Sequence, residues 1–181
     1  MDDDKLIHRC RKNDRKAQNL LFTKYEKKVL TICRRYSSSL DEAKDIQQEA
    51  FIKLFRSINN SDGEIESLQK WVNRLTVNVA IDHARKQRRI DDSKQTIDST
   101  GTVAPTVLEA LHEEELIALI QSIPNPYRIV FNLFIIEGYS HKEIGEQLQV
   151  EESTSRSYLT RAKSILKEKL IHSDNKQKGY G

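Results

Sequence analysis

The sequence predicts an all-α protein built as two small helical domains joined by a flexible linker, with a helix-turn-helix in the second. Three observations lead there. Apolar residues recur at spacings of three and four through two long blocks. The 181 residues hold only 6 Gly and 3 Pro, with 37% hydrophobic against 31% charged side chains, a balance that suits short helical domains better than a sheet-rich core. Between the blocks, residues 91–107 turn to Asp, Ser, Thr, Gln and Gly with little apolar content, as a linker does. The resulting division is a domain over 1–90, a linker over 91–107, a second domain over 108–171 and a disordered polar tail over 172–181.

In the first block, residues 6–36 carry Cys10, Ala17, Leu21, Tyr25, Val29, Ile32 and Cys33 at helical spacing, as one long helix or as two, with Asn13-Asp14 the candidate cap and break. Three serines, Ser37 to Ser39, interrupt it. A second helix over 41–58 points Ala43, Ile46, Ala50, Phe51 and Leu54 inward and leaves Asp45, Gln48 and Glu49 outside. The run Asn59, Asn60, Ser61, Asp62, Gly63 is turn chemistry, so a loop is expected there. A third helix follows from about Ser67 through Trp71, Leu75 and Val79 to the cations Arg85, Lys86, Arg88 and Arg89. Trp71 lies on its apolar face and is expected in the core rather than stacked on a base.

The second block opens with a helix over 108–123 that has an acidic face. Pro124-Asn125-Pro126 breaks it, and an apolar helix over 127–137 ends at Gly138. Ser140 and Glu143 then form a capping box for a helix over 141–148, and Val150 plugs a short turn. Glu151, Glu152, Ser153 and Thr154 supply cap oxygens and negative charge where a second helix starts. On that helix Leu159, Ala162, Leu166 and Leu170 make the buried stripe, widened by Ile165. Ser153, Thr154, Arg156, Ser157, Thr160, Arg161, Lys163 and Lys167 stay outside, a set of hydroxyls and cations suited to phosphates and major-groove base edges. Gly145 in the first helix of the pair implies a close crossing.

Net charge is only +3, but it is segregated. Cations gather at residues 85–89 and 156–169; acids gather at 41–49 and 109–115, which implies more than one partner. No apolar run approaches a membrane span and the first residues are acidic, unlike a signal peptide, so membrane insertion is not expected and the cytoplasm is. Cys10 and Cys33 are read as reduced thiols, the five histidines lack a partner at ligand spacing, and no metal or other cofactor is expected. Without clustered carboxylates or a nucleophile beside a base, a nuclease or other enzyme is disfavoured.

Three stretches in register carry a resemblance. EAKDIQQEAFIKLF (42–55), WVNRLTVNVAIDHARKQRR (71–89) and IPNPYRIVFNLFIIEGYSHKEIGEQLQVEESTSRSYLTRAKSIL (123–166) resemble, in order, the polymerase-binding helix, the promoter-melting helix and the C-terminal helix-turn-helix domain of bacterial RNA polymerase sigma factors of the extracytoplasmic-function group. The resemblance implies a sigma factor that binds core RNA polymerase and directs promoter recognition, melting and initiation. It implies Asp45, Gln48 and Glu49 against the polymerase clamp. Downstream promoter DNA would meet Asn59, Asn60, Ser61, Asp62, Asn78, Asp82, Arg85, Lys86, Arg88 and Arg89, with one extruded base held by the loop. The upstream element would meet Glu152, Ser153, Thr154, Arg156, Ser157, Thr160 and Arg161. A monomer when free and an anti-sigma factor as regulator are further implications. Two departures stand out: Gln149 replaces the usual turn glycine, and Val77 a common arginine. The alternative is a stand-alone helix-turn-helix regulator that binds its operator as a dimer without polymerase.

Overall fold

The computed structural model describes residues 2–60, 65, 67–88 and 112–178, with backbone alone for 87–88 and 172–178. All regular structure among them is helical, and chain packing divides it into the units Met1–Ala84 and Arg85–Gly181.

The first unit contains α1 (Asp3–Arg11), α2 (Arg15–Tyr36), α3 (Leu40–Asn60) and α4 (Leu68–Arg88). The break expected at Asn13-Asp14 is present. Asn13 turns the chain at φ 55° and Asp14 caps α2, accepting from the backbone N–H groups of Lys16 and Ala17 at 2.9 and 3.2 Å. Arg9 donates from Nε to the same carboxylate at 2.8 Å, and this bond is the largest cause of an Asp14 pKa below the usual carboxylate range. Helices α1, α2 and α3 pack on one another around Leu6, Leu21, Cys33, Ile46, Leu54 and Ile58. Ser39 and Glu42 cap α3 reciprocally: Glu42 N–H donates to Ser39 Oγ at 3.2 Å, and the Glu42 carboxylate accepts from Ser38 N–H at 2.6 Å. Helix α3 runs to Asn60, so Asn59 and Asn60 belong to its last turn and not to the loop; helical bonding there outweighs the turn propensity of asparagine.

The second unit contains α5 (Glu113–Gln121), α6 (Tyr127–Phe131), α7 (His141–Leu148) and α8 (Glu152–Lys178), where residues 108–111 of the expected α5 fall outside the described residues. The break at Pro124-Asn125-Pro126 is bridged by Arg128, which is 2% exposed and donates from Nη1 to the Gln121 carbonyl at 3.0 Å. Helix α6 does not continue as α-helix to Glu137. It passes into a π-helical turn, Asn132–Ile136, closed by Glu137 N–H to Asn132 O at 3.0 Å. Helix α8, onto which α5, α6 and α7 all pack, continues as backbone helix to Lys178, beyond the end expected near Leu170.

The turn between α7 and α8 is set by two residues with opposite requirements. Gln149 sits in the left-handed region at φ 56° and ψ 47°, the conformation for which the glycine suggested by resemblance would be used. Gly145 has no room for a side chain, because a Cβ there would stand 2.8 Å from the Val150 carbonyl oxygen. The two substitutions should therefore move stability in opposite directions. Gln149→Gly is expected to stabilise the second unit by roughly 0.5–1 kcal/mol, left-handed strain outweighing the added freedom of the unfolded chain. Gly145→Ala is expected to destabilise it by about 1–3 kcal/mol, since backbone and not a mobile side chain must yield. Urea denaturation followed by far-ultraviolet circular dichroism checks both, with fluorescence of the single tryptophan, Trp71, reporting on the first unit.

Candidate nucleic-acid interface

Helix α8 presents one polar surface because its other surface is occupied. Ser155, Leu159, Ala162, Ser164 and Leu166 are buried, with Ile165 and Leu170 half-buried. Opposite them Glu152, Ser153, Arg156, Ser157, Thr160 and Lys167 are exposed, while Thr154, Arg161 and Lys163 are half-buried. Glu152 and Arg156, one turn apart, form an ion pair. The expected outward set is thus outward, and Ser155 is an addition to the buried stripe. Its position four residues before Leu159 was the available signal.

Ser155 is buried against His141, the first residue of α7. Its Oγ lies 2.9 Å from His141 Nδ1, and the imidazole stacks on Phe134 of the π turn with centroids 4.3 Å apart and planes 20° from parallel. The histidine that lacked a sequence neighbour has its partner across the turn. Burial depresses its pKa most, Arg156 adds to the depression, Glu152 opposes it and Lys163 reinforces it.

In the first unit the acidic face is less uniform than its sequence. Asp45 and Gln48 are exposed; Glu49 is half-buried and pairs with Lys53 at 3.3 Å. Lys53 also reaches Asp82 of α4 at 3.4 Å, so one cation joins an acidic-face residue to one of the expected DNA residues. A groove of about 420 Å³ runs beside this bridge, lined by Arg56, Trp71, Arg74, Asn78 and Asp82 among others. Trp71 is half-buried and lines this groove instead of lying in the core; Val77 on the same helix is buried. Arg85 is half-buried and Lys86 exposed. Asn59 is exposed and donates from Nδ2 to Asn13 Oδ1 at 3.1 Å, tied to the α1–α2 turn. Asn60 is exposed at the end of α3. Ser61, Asp62 and Arg89, with the Arg88 side chain, lie outside the described residues.

Comparison with known proteins joins the two surfaces to one activity. Residues 21–90 match Sigma-70 region 2 and residues 113–166 match Sigma-70, region 4. The RNA polymerase sigma-H factor of Pseudomonas aeruginosa is 31% identical over 177 residues, covering 91% of each chain. The chain is an extracytoplasmic-function sigma factor. ECF RNA polymerase sigma-E factors of Haemophilus influenzae and Escherichia coli K12 are each 29% identical over 181 residues, covering 93% of this chain and 95% and 94% of theirs. Among solved structures, that of CnrH in complex with the cytosolic domain of CnrY covers 92% of this chain and 96% of that chain, with 15% identity and a TM-score of 0.47.

This sigma factor serves promoter-specific initiation of transcription with RNA polymerase, and the match of residues 21–90 removes the stand-alone regulator as a reading. Its family is not one of enzymes. Among the described residues no helix is long and apolar enough to cross a membrane, and no three His, Cys, Asp or Glu side chains are grouped to hold a metal ion. Cys10 and Cys33 are buried free thiols, and burial pushes Cys33 up to about 12, which leaves its thiol unreactive.

The depressed His141 gives the second unit a pH dependence of defined sign. The unfolded chain takes up the proton near its ordinary value of roughly 6.5. The folded unit resists it, so stability is unaffected above that value and falls as pH drops through it. Urea midpoints should decline between about pH 7 and 5.5 for the sigma factor and decline less for His141→Asn, ahead of any loss from the carboxylates of Asp14 and Glu143, whose depressed values place their effect at lower pH.

Proposed function

We propose that residues 1–90 engage core RNA polymerase and open the downstream promoter element, that 91–107 link, and that 108–171 read the upstream element as duplex. The observation that carries this is the two-sided α8, which buries one stripe and offers the hydroxyls and the Arg156 cation of its first two turns to solvent, in a chain whose other half matches region 2. In this reading Glu152, Ser153, Thr154, Arg156 and Ser157 enter the major groove, with Thr160 and Arg161 toward the backbone. Asp45, Gln48 and Glu49 meet a basic coiled coil of the polymerase clamp, where opposite charge sets register and encounter rate.

The downstream element meets α4 and its approaches. Arg85, Lys86, Arg88 and Arg89 track phosphates, Asn78 and Asp82 support the opened strand, and Asn59, Asn60, Ser61 and Asp62 hold one extruded base. Opening duplex costs roughly 1.4 kcal/mol per base-pair step, which contacts to separated strands and polymerase must offset. Asn78 and Asp82 line one groove with Trp71 and Arg74, which supports grouping them toward one strand. The free protein is a cytoplasmic monomer in this reading, held by an anti-sigma factor until induction.

Asp45→Lys combined with Glu49→Lys should abolish co-elution with core polymerase while the circular dichroism spectrum stays helical, since Asp45 is exposed and the half-exposed Glu49–Lys53 pair contributes little stability. Undiminished co-elution would remove the acidic face from the polymerase interface. Arg156→Ala should cost about 1–3 kcal/mol at one upstream base pair and relax preference there, read by holoenzyme binding to single-position promoter variants. A uniform loss with a shallower salt slope would reassign Arg156 to a phosphate, and no loss would remove it from the DNA surface.

A further inference from the structure

We propose that His141 and Ser155 form a positioning pair that fixes the rotation of α8 on α7 and thereby determines upstream-element specificity. The proposal rests on the reading of the second unit as a duplex reader. Ile144 and Leu148 of α7 and Leu159, Ala162 and Leu166 of α8 are buried apolar side chains, and the His141–Ser155 hydrogen bond is a polar link between the two helices. Interdigitated apolar side chains set the crossing of two helices only to within a scatter of about 15–20°. A hydrogen bond weakens steeply off its axis.

The pair supplies that direction at the end of α8 where it matters. Ser155 is fully buried, and the face of the His141 ring is stacked on Phe134, which sets the plane in which Nδ1 meets the serine. Ser155 Oγ and His141 Nδ1 are 2.9 Å apart, and the hydroxyl can donate to one ring tautomer or accept from the other. The next residue is Arg156, about 100° further round the helix, and Ser153 and Thr154 precede it in the same turn. A rotation of α8 that broke the bond would displace all three from any base edge they read.

The test uses the full chain in reconstituted holoenzyme, measured on promoters varied singly at each upstream and downstream position. His141→Phe keeps a ring on Phe134 without the hydrogen bond, Ser155→Ala removes only the hydroxyl, and His141→Asn places a polar atom near Nδ1. The first two should each reduce discrimination among upstream variants by about tenfold, together no more than either alone, while downstream discrimination is unchanged and shows the chain folded and polymerase-bound. His141→Asn should recover part of the loss. An equal fall on every upstream sequence, or additive effects of the two single changes, would overturn the pair as a positioning device and leave it as packing. If the wild-type holoenzyme itself does not discriminate among the upstream variants, the duplex-reading assignment falls, which distinguishes the two failures.

Discussion

The second unit depends on one requirement, that α8 bury a single stripe and keep its remaining surface free. Leu159, Ala162 and Leu166 are all buried along that stripe. Three helices pack on that stripe, so the elements before α8 serve as its support. Several polar groups drawn into this core are hydrogen-bonded: Ser155 to His141, Asn132 Nδ2 to the Arg128 carbonyl at 3.0 Å, and Arg128 Nη1 to the Gln121 carbonyl. Each lost partner would leave a buried polar group costing roughly 1–3 kcal/mol, which is why these bonds specify geometry as well as contribute stability.

The connections carry as much of the arrangement as the helices do. Gly138 at φ 78° ends the π turn, Ser140 and Glu143 start α7, and Gln149 in the left-handed region redirects the chain within two residues. The π turn shifts the register of the α6 segment relative to a continuous α-helix, and Phe134 comes from that turn to lie on His141. Backbone geometry in one segment thus reaches α8 through a side-chain stack and the His141–Ser155 hydrogen bond.

The first unit solves a different problem, placing unlike surfaces on adjacent helices. Lys53 spans Glu49 and Asp82, and His83 approaches Glu42 at 3.5 Å, so α3 and α4 are joined by polar contacts along the edge where the acidic face and the Trp71 groove meet. Such half-exposed pairs contribute little stability each. Their geometric effect is to tie α3 to α4 at Lys53–Asp82 and Glu42–His83.

Much of this was legible in the residues themselves. Periodicity located every helix, Asp14 and Ser140 marked two helix starts, and Gly145 announced a close approach, because caps, breaks and helix faces are decided by neighbours a few positions away. The family was legible for the same reason: its motifs are contiguous stretches. Tertiary structure alone decided that Asn59 and Asn60 complete α3, that Trp71 opens on a groove, that α6 ends in a π turn, and that Glu49 is engaged by Lys53. It also brought His141 to Ser155 across fourteen positions. These outcomes depend on which surfaces the packed helices leave uncovered and on partners far apart in the chain, and local spacing carries no record of either.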